Sequence, residues 1–587
     1  MSSRKALPML SFRVSGRRAG IVVGGLALVV GMAACAAPDV VTTGQRPNVP
    51  TSNVSPPRSP ETDPVKLALS LSSLPGFTAP TSEGAGVFSR PLVDAEGTAT
   101  WKVLDDTNQV IADYRPTQPV AFGDSSVYTT IPGVLTFRGN NYRDAPVYGT
   151  TDITEKKLAV AWTHDTGDVT AEGSYWAGAG WTGQPLLVNW PAETKAAMGF
   201  EEGLTNDQGF VEVLYPVVDG KVYRMDLATG RDVKPPIDTG FAFKGTGSVD
   251  PRGYPLLYAG MGLNENGDKQ GAWRYRIFDL IQNREVSGWD GTDAGAPREW
   301  GAFDSSALVN AATDTLIEPA ENGLIYKVKL NATYDPTART VSVEPKITKM
   351  TYTTPDSSRH GIESSAVAYR NLMFAGDNDG NIVCWDATTL QVVWVRPTGD
   401  DTDATLVLDA TSEGPFLYTG NEVDKRGEAG ATTAPVTIQK INALTGQQVW
   451  QWQTDARYDK AVNGGVMATP VLGTGEVSDL VFFNVAKTLS PKQGSLVALD
   501  KETGTIAWRR DLPSFSWSSP LLLTGKDGHS YGIVGDSSGL LHLFDPNTGR
   551  DYSTLQLSKN IEATPAVYGN MLVVGTYAKK LYGVRLS

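Results

Sequence analysis

The chain has 587 residues, a formal net charge of −13 at pH 7 and two cysteines, Cys35 and Cys384. So acidic a balance argues against nucleic acid as a partner and against close docking on anionic lipid. Two thiols make no disulfide framework, so a fold of this length must rest on its buried core.

The chain opens on a targeting segment. Arg4, Lys5, Arg13, Arg17 and Arg18 precede the apolar run 19–34, and Met32-Ala33-Ala34-Cys35 resembles a bacterial lipobox with Met where Leu is commoner. Residues 1–34 read as a signal peptide. Cys35 reads as the lipidated first residue of the mature chain, anchored in the cell membrane and facing its extracytoplasmic side; an ordinary secretory peptide cleaved nearby is the other reading. Arg17-Arg18 has the form of a twin-arginine export pair but serves equally as n-region charge. Losing the five cations takes the net charge from −13 to −18. Residues 35–66, rich in Pro, Thr, Ser and Val without an apolar period, read as a flexible tether. With Cys35 lipidated, Cys384 has no disulfide partner. It sits in a strand pattern without an accompanying His or Asn motif, so it reads as a small buried hydrophobe.

Residues 67–154 differ in kind from the remainder of the chain. Residues 101–104 and 109–114 predict a short hairpin and 131–138 (IPGVLTFR) another strand, together an extension packed on the side or rim of the main domain. Nothing in it carries recognisable chemistry.

From 155 to 587 the chain repeats. Its clearest unit is 497–508, VALDKETGTIAW: alternation up to Asp500, a turn at Thr503-Gly504, and a second run ending on Trp508. Gly504 accepts φ > 0 and Asp500 can take up turn amides. The same spacing returns at 441–450 (INALTGQQVW) and at 383–394 (VCWDATTLQVVW), where Leu390 replaces the glycine. Residues 226–230 (DLATG) and 545–549 (DPNTG) keep the turn without the tryptophan. In 279–283 (DLIQN) the turn position falls on Asn283, the next residue type most tolerant of the left-handed region. Units lie roughly 40 to 58 residues apart, which fits four short strands each and a radial β-propeller.

This A-x-D-x-x-T-G-x-x-x-W unit resembles the tryptophan-docking repeat of the pyrroloquinoline-quinone (PQQ) type propellers. That group holds quinoprotein alcohol dehydrogenases and non-catalytic lipoproteins such as the propeller subunit of the outer-membrane barrel-assembly machinery. The resemblance implies the fold and leaves the activity open. Runs such as WTGQPLL, SVDPRGYPLLY, REWGAFDSS, TGNEVD and NGGVMATPVLG also resemble bacterial PQQ-like propellers with no assigned reaction.

Inner-strand starts predict the architecture. They fall at 183–185, 245–247, 305–307, 364–366, 404–406, 468–470, 518–520 and 563–565. The expectation is an all-β, eight-bladed β-propeller of four-stranded antiparallel blades. Its last blade lacks an outer strand, which 159–167 (AVAWTHDTG), with Trp162, would supply, closing the ring between the N-terminal strand and the C-terminal blade.

The residue before each start is not uniform: Thr182, Lys244, Asp304, Glu363, Asp403, Met467, Trp517 and Glu562. Four carboxylates on one ring are what a core built only for stability would avoid, since like charges raise one another's pKa. Trp181, Asp250 and Arg252, Asp400 and Asp401, Asn421 and Glu422, and Asn463 lie in neighbouring loops and are expected at the same mouth. Such a set suits calcium, with Glu363, Asn421 and Asp304 as its ligands, or a small molecule bearing hydroxyls or positive charge; solvated acidic loops are the bland alternative.

Two functions are compatible with these residues. One is a binding or scaffold lipoprotein holding an envelope protein or small-molecule ligand at the acidic channel mouth. The other, implied by the resemblance, is a PQQ- and calcium-dependent dehydrogenase of alcohols or sugars, with Trp517 or Trp181 stacked on the cofactor, Glu363 with Asn421 or Asn463 on calcium, and Asp304 or Asp403 as base. The chain has neither the adjacent cysteines of many such dehydrogenases nor a C-x-x-C-H haem motif. His164, His360, His529 and His542 show no metal spacing, and no nucleophile elbow, P-loop or zinc-protease motif is present. The barrel-assembly resemblance also implies envelope-protein assembly by strand addition or surface docking.

Overall fold

The repeat turn folds as its residues dictate. Asp500 Oδ1 accepts the backbone N–H groups of Glu502 and Thr503 at 3.0 and 2.7 Å, and Gly504 takes φ 72°. Strands Gln493–Asp500 and Ile506–Leu512 pair across it. The computed structural model describes residues 60–179, 183–459 and 462–587, with the backbone of Val41–Thr42. The signal segment, Cys35, nearly all of the tether, Trp181 and Thr182 lie outside the described residues.

Each tryptophan of the repeat docks on the next unit's turn. Trp450 Nε1 donates to Lys501 O at 3.0 Å, Trp394 to Ala443 O at 3.1 Å, Trp508 to Pro546 O at 2.9 Å and Trp162 to Leu227 O at 2.8 Å. The ring lies flat against the turn glycine, so that a Cβ on Gly504 would stand 2.6 Å from Trp450 and one on Gly230 2.5 Å from Trp162. The Trp–Gly pairing in the sequence is therefore one contact between neighbours. Where the preceding outer strand, Lys346–Thr353, offers no tryptophan, the turn carries Leu390 at φ 57°, and its side chain packs with Met350 and Tyr352 in one buried cluster. Asn283 holds its turn at φ 56°.

The molecule is an all-β propeller. Four-stranded antiparallel units succeed one another, beginning with first strands Leu186–Val188, Ser248–Val249, Leu308–Asn310, Val367–Tyr369, Val407–Thr411, Val471–Leu472, Leu521–Thr524 and Ala566–Tyr568. The last of these continues through Met571–Thr576 and Lys580–Leu586, and Leu158–Asp165 pairs antiparallel with Lys580–Leu586.

The extension departs from expectation. Thr98–Leu104 pairs with Val87–Pro91 and with outer strand Lys346–Thr353, widening that sheet; residues 109–111 turn back on it, with Val110 bridged to Leu104 and Ile111 N–H donating to Val103 O at 2.9 Å. Residues 131–148 do not lie on the side or rim. Gly133–Val134 pairs with first strand Leu186–Val188, the chain then crosses the hub, and Val147–Tyr148 runs parallel to Ala566–Tyr568. Arg138 and Arg143 are both fully buried at the hub: Arg138 donates to Pro520 O (2.7 Å) and Pro470 O (3.3 Å), and Arg143 to Ala366 O (2.9 Å) and Ser306 O (2.7 Å). Two guanidiniums thus satisfy carbonyls from four units where their first strands begin. Cys384 is buried in Asn381–Asp386 and burial pushes its thiol up, as suits an inert core residue.

Candidate functional site at the channel mouth

The small residues at the inner-strand starts form a hydroxyl latch between units. The backbone N–H of Gln184 donates to Thr246 Oγ1 (2.7 Å), that of Ser306 to Ser365 Oγ (2.9 Å), that of Ser365 to Thr405 Oγ1 (2.8 Å) and that of Thr469 to Ser519 Oγ (3.1 Å). At Thr246, Ser365, Thr405 and Ser519 the middle position of the motif supplies the hydroxyl acceptor that a neighbour's backbone amide uses.

These hydroxyls wall a cavity of about 40 Å³ on the axis. Phe137, from the segment that crosses the hub, lies at one end of it; Asp304, Glu363, Asp403 and Met467 line it on the side where the inner strands begin. The channel is blind, with its acidic mouth on one face only.

Four of the predicted ring residues, Asp304, Glu363, Asp403 and Met467, come together there, with Lys244 paired to the first, and others do not. Lys244 Nζ donates to Asp304 Oδ2 at 2.7 Å. Burial opposes its charge, yet Asp304, Glu321 and Glu363 hold its pKa above the usual value. Trp517 is buried against Phe515, at 5.8 Å between centroids, and is not among the cavity's walls. Glu562 accepts from Asn560 Nδ2 at 2.5 Å, stands beside Tyr577 and is not among the cavity's walls. Asn463 is half-buried next to Gly464–Gly465. Trp181 falls outside the described residues.

Arg252 is at the other end. It binds Asp250 (2.6 Å) and Asp314 (2.7 Å) in loops that come after first strands, beside the hub-crossing segment, where Thr130 N–H donates to Pro251 O at 2.9 Å. Residues after a first strand emerge opposite to those before it, so Asp250 and Arg252 belong to the closed end.

Asn421 is engaged by the backbone. Its Nδ2 donates to Thr398 O (2.9 Å) and its Oδ1 accepts from Thr437 N–H (2.8 Å), so its amide is spent on backbone. Of the three residues expected on calcium, Asp304 and Glu363 stand together, with Asp304 paired to Lys244, while the amide of Asn421 is engaged by backbone.

Two carboxylate triads do form, each with oxygens within 4.8 Å of one another: Asp304, Glu321 and Glu363; and Asp401, Asp403 and Glu422. Burial, then neighbouring carboxylates, raise Glu321, Asp403 and Glu422 well above the ordinary range, and burial raises Asp304 against the pull of Lys244. Glu321 was missed. It comes after a second strand, Thr315–Pro319, and turns between second and third strands return to the mouth; Asn378, which donates to Glu363 Oε1 at 2.7 Å, and Glu422 hold the corresponding places after Leu372–Gly376 and Gly414–Gly420. Asp400, by contrast, is structural: it accepts from the N–H groups of Asp401 (2.9 Å) and Lys425 (2.7 Å) and from Arg426 Nε (2.7 Å), fixing the loop.

A family model described as outer membrane protein assembly factor BamB matches residues 436–531 and 492–585. These repeats are of the PQQ-like type. Among solved structures, BamB from Moraxella catarrhalis is 16% identical, with 64% of this chain and 93% of that chain covered and a TM-score of 0.42. Quinohemoprotein alcohol dehydrogenase ADHIIG from Pseudomonas putida HK5 is 13% identical, with 78% and 80% covered and a TM-score of 0.48. No curated protein matches the sequence.

The PQQ-like repeat raises the question of the quinone, and the residues present do not fit it. About 40 Å³ holds a few waters, where a small-molecule pocket takes roughly 300–1,000 Å³. PQQ is moreover a tricarboxylate, and the wall facing it would be Asp304, Glu363 and Asp403.

Proposed function

We propose that this chain is an extracytoplasmic, lipid-anchored propeller that acts as a binding and scaffold protein, with a ligand or partner held at the acidic mouth of its central channel. In this reading the propeller has eight four-stranded blades, and pairing of Leu158–Asp165 with Lys580–Leu586 closes the ring. Cys35 is the lipidated anchor to the cell membrane. The observation that carries the proposal is the blocked axis: Phe137 and the two buried arginines fill the hub beneath the cavity, while three carboxylates line its mouth. Recognition is therefore confined to a single face and favours cationic chemistry. The PQQ-dependent dehydrogenase is the weaker reading, because cavity size and charge both oppose the quinone.

The test places a photo-crosslinking residue at Met467, which lines the mouth, or at Arg252, at the closed end, in the full-length chain within its native membrane. A discrete adduct is expected from Met467, diminished by Glu363→Gln with Asp403→Asn, and none from Arg252. Equal adducts from both positions, or an adduct indifferent to the two acids, refute recognition at the mouth. Tight quenching of tryptophan fluorescence by micromolar PQQ would return the dehydrogenase to first place.

A further inference from the structure

The extension encloses a second cavity, which shares no wall with the one on the axis. Residues 74–78 turn back on themselves, with Gly76 at φ 69° and Phe77 N–H donating to Leu74 O at 3.1 Å. This turn stands against outer strand Val392–Pro397 and the next unit's turn at Leu444 and Thr445, and the space left between them is about 260 Å³. Trp394, docked on that turn through Ala443 O at 3.1 Å, forms part of the wall. The walls are mostly apolar. They include one cation, Arg90 of strand Val87–Pro91, and no acid.

Arg90 is fixed in place and lacks a counter-charge. It is 6% exposed; one terminal nitrogen donates to Val393 O, the other to Thr78 O at 3.2 Å, and Nε meets no acceptor. Its guanidinium lies 5.2 Å from the Phe77 centroid and 5.8 Å from that of Trp101. Burial pulls its pKa down to about 10, opposed only by the Cys384 thiol, which burial itself keeps neutral. Other buried cations are answered. Arg224 pairs with Glu212 at 2.7 Å, Arg510 with Asp551, and Arg143 spends Nε and both terminal nitrogens on carbonyls and Thr136. In the other cavity of about 260 Å³, the lining Lys349 meets the lining Asp293 at 2.7 Å. A charge withdrawn from water is costly unless an opposite charge or a full set of acceptors reaches it, and Arg90 has neither.

We propose that this cavity binds a small apolar carboxylate, with the acid group on Arg90 and the apolar body against Phe77, Val93 and Trp394. Volume sets the size. A cavity of about 150 Å³ holds benzene, so 260 Å³ takes a ring with a short acid-bearing chain. Charge sets the class: a cationic ligand would be repelled, a neutral one would leave the guanidinium unanswered, and a second carboxylate would find no second cation among the walls. The two carbonyls and the flanking rings hold the guanidinium before anything binds, so little ordering is lost on binding. The extension thereby acquires a role, since its turn and its strand supply the cover and the charge. The site is independent of recognition at the channel mouth.

The experiment titrates full-length chain in lipid nanodiscs calorimetrically with 3-phenylpropionate and with 3-phenylpropionamide, against empty nanodiscs. One saturable site is expected for the acid, with the amide weaker by about tenfold or more. Arg90→Gln retains a donor but not the charge, and should bring the acid down to the level of the amide. Leu444→Trp fills the cavity from a wall away from the charge and should abolish binding of both. Thermal midpoints report whether each variant is folded; if Arg90→Gln is not, the acid-to-amide ratio in wild type and Leu444→Trp decide the matter. The site is overturned by equal affinity for acid and amide, by no saturable binding of the acid, or by acid binding that survives either substitution in a folded chain. Arg90 would then be a staple between the extension and Val393, and nothing more.

Discussion

Gly504→Ala tests the docking of one blade on the next. The alanine would have to keep φ near 72°, which costs a residue with a Cβ about 1–2 kcal/mol. Its methyl would stand 2.6 Å from Trp450 Cδ2, so the ring must move, at about 1–3 kcal/mol for overpacking and roughly 1 for the Nε1 bond to Lys501 O. Together the loss should reach about 3–6 kcal/mol. Gly528→Ala is the control, since Gly528 has φ 82° and nothing within 4 Å of a built Cβ. It carries the conformational cost of about 1–2 kcal/mol alone. Urea unfolding of both variants, followed by far-UV circular dichroism, isolates the docking contact as the difference, about 2–4 kcal/mol. If the two variants fall within about 1 kcal/mol of each other, the tryptophan–glycine contact does not join the blades.

Buried charge yields two further expected outcomes. Arg138→Leu leaves Pro470 O and Pro520 O without a donor at the hub and should cost about 2–5 kcal/mol in urea unfolding; a loss under about 1 would mean water takes the guanidinium's place. Burial raises Asp377 from 3.8 to about 6, although it accepts from Tyr352 Oη at 2.7 Å. The folded chain then keeps a proton between pH 4 and 6 that the unfolded chain releases, so stability falls by about 3 kcal/mol as pH rises through that window. Asp377→Asn should remove this decline, and an unchanged pH profile of the thermal midpoint would refute it.

What the sequence disclosed and what it hid divide along range. The Trp–Gly unit was legible because its turn is local, with Asp500, Gly504 and Trp508 within one hairpin, and because an aromatic ring recurring at one offset has few other uses. Arg138 was not, since its guanidinium reaches carbonyls 332 and 382 residues away, and nothing near it in sequence marks it as axial. The ring position before each inner strand was identified by its repetition, and three of its acids do line one cavity. The loops were misassigned where the direction of the strand was not tracked. Asp250 and Arg252 come after a first strand and so emerge at the closed end, whereas Glu321 and Glu422 come after second strands and return to the mouth.

That division of ends bears on how the molecule can work. A propeller open at both ends could pass a ligand through its axis, and acids near the middle would then be way-stations. Here Phe137 and the paired arginines occupy the axis, so anything bound at Asp304, Glu363 or Asp403 arrives and leaves by the same face. The segment responsible also belongs to the extension, which ties the hub to the region preceding the propeller: Gly133–Val134 adds to the first unit's sheet and Val147–Tyr148 to the last one's. A chain that joins first and last units through the axis restrains the ring at the seam where it is most open to splaying. The hydroxyl latch restrains it between neighbours, and neither device draws on the residue before each inner strand. That position is free of both devices, which leaves room for carboxylates to be gathered there.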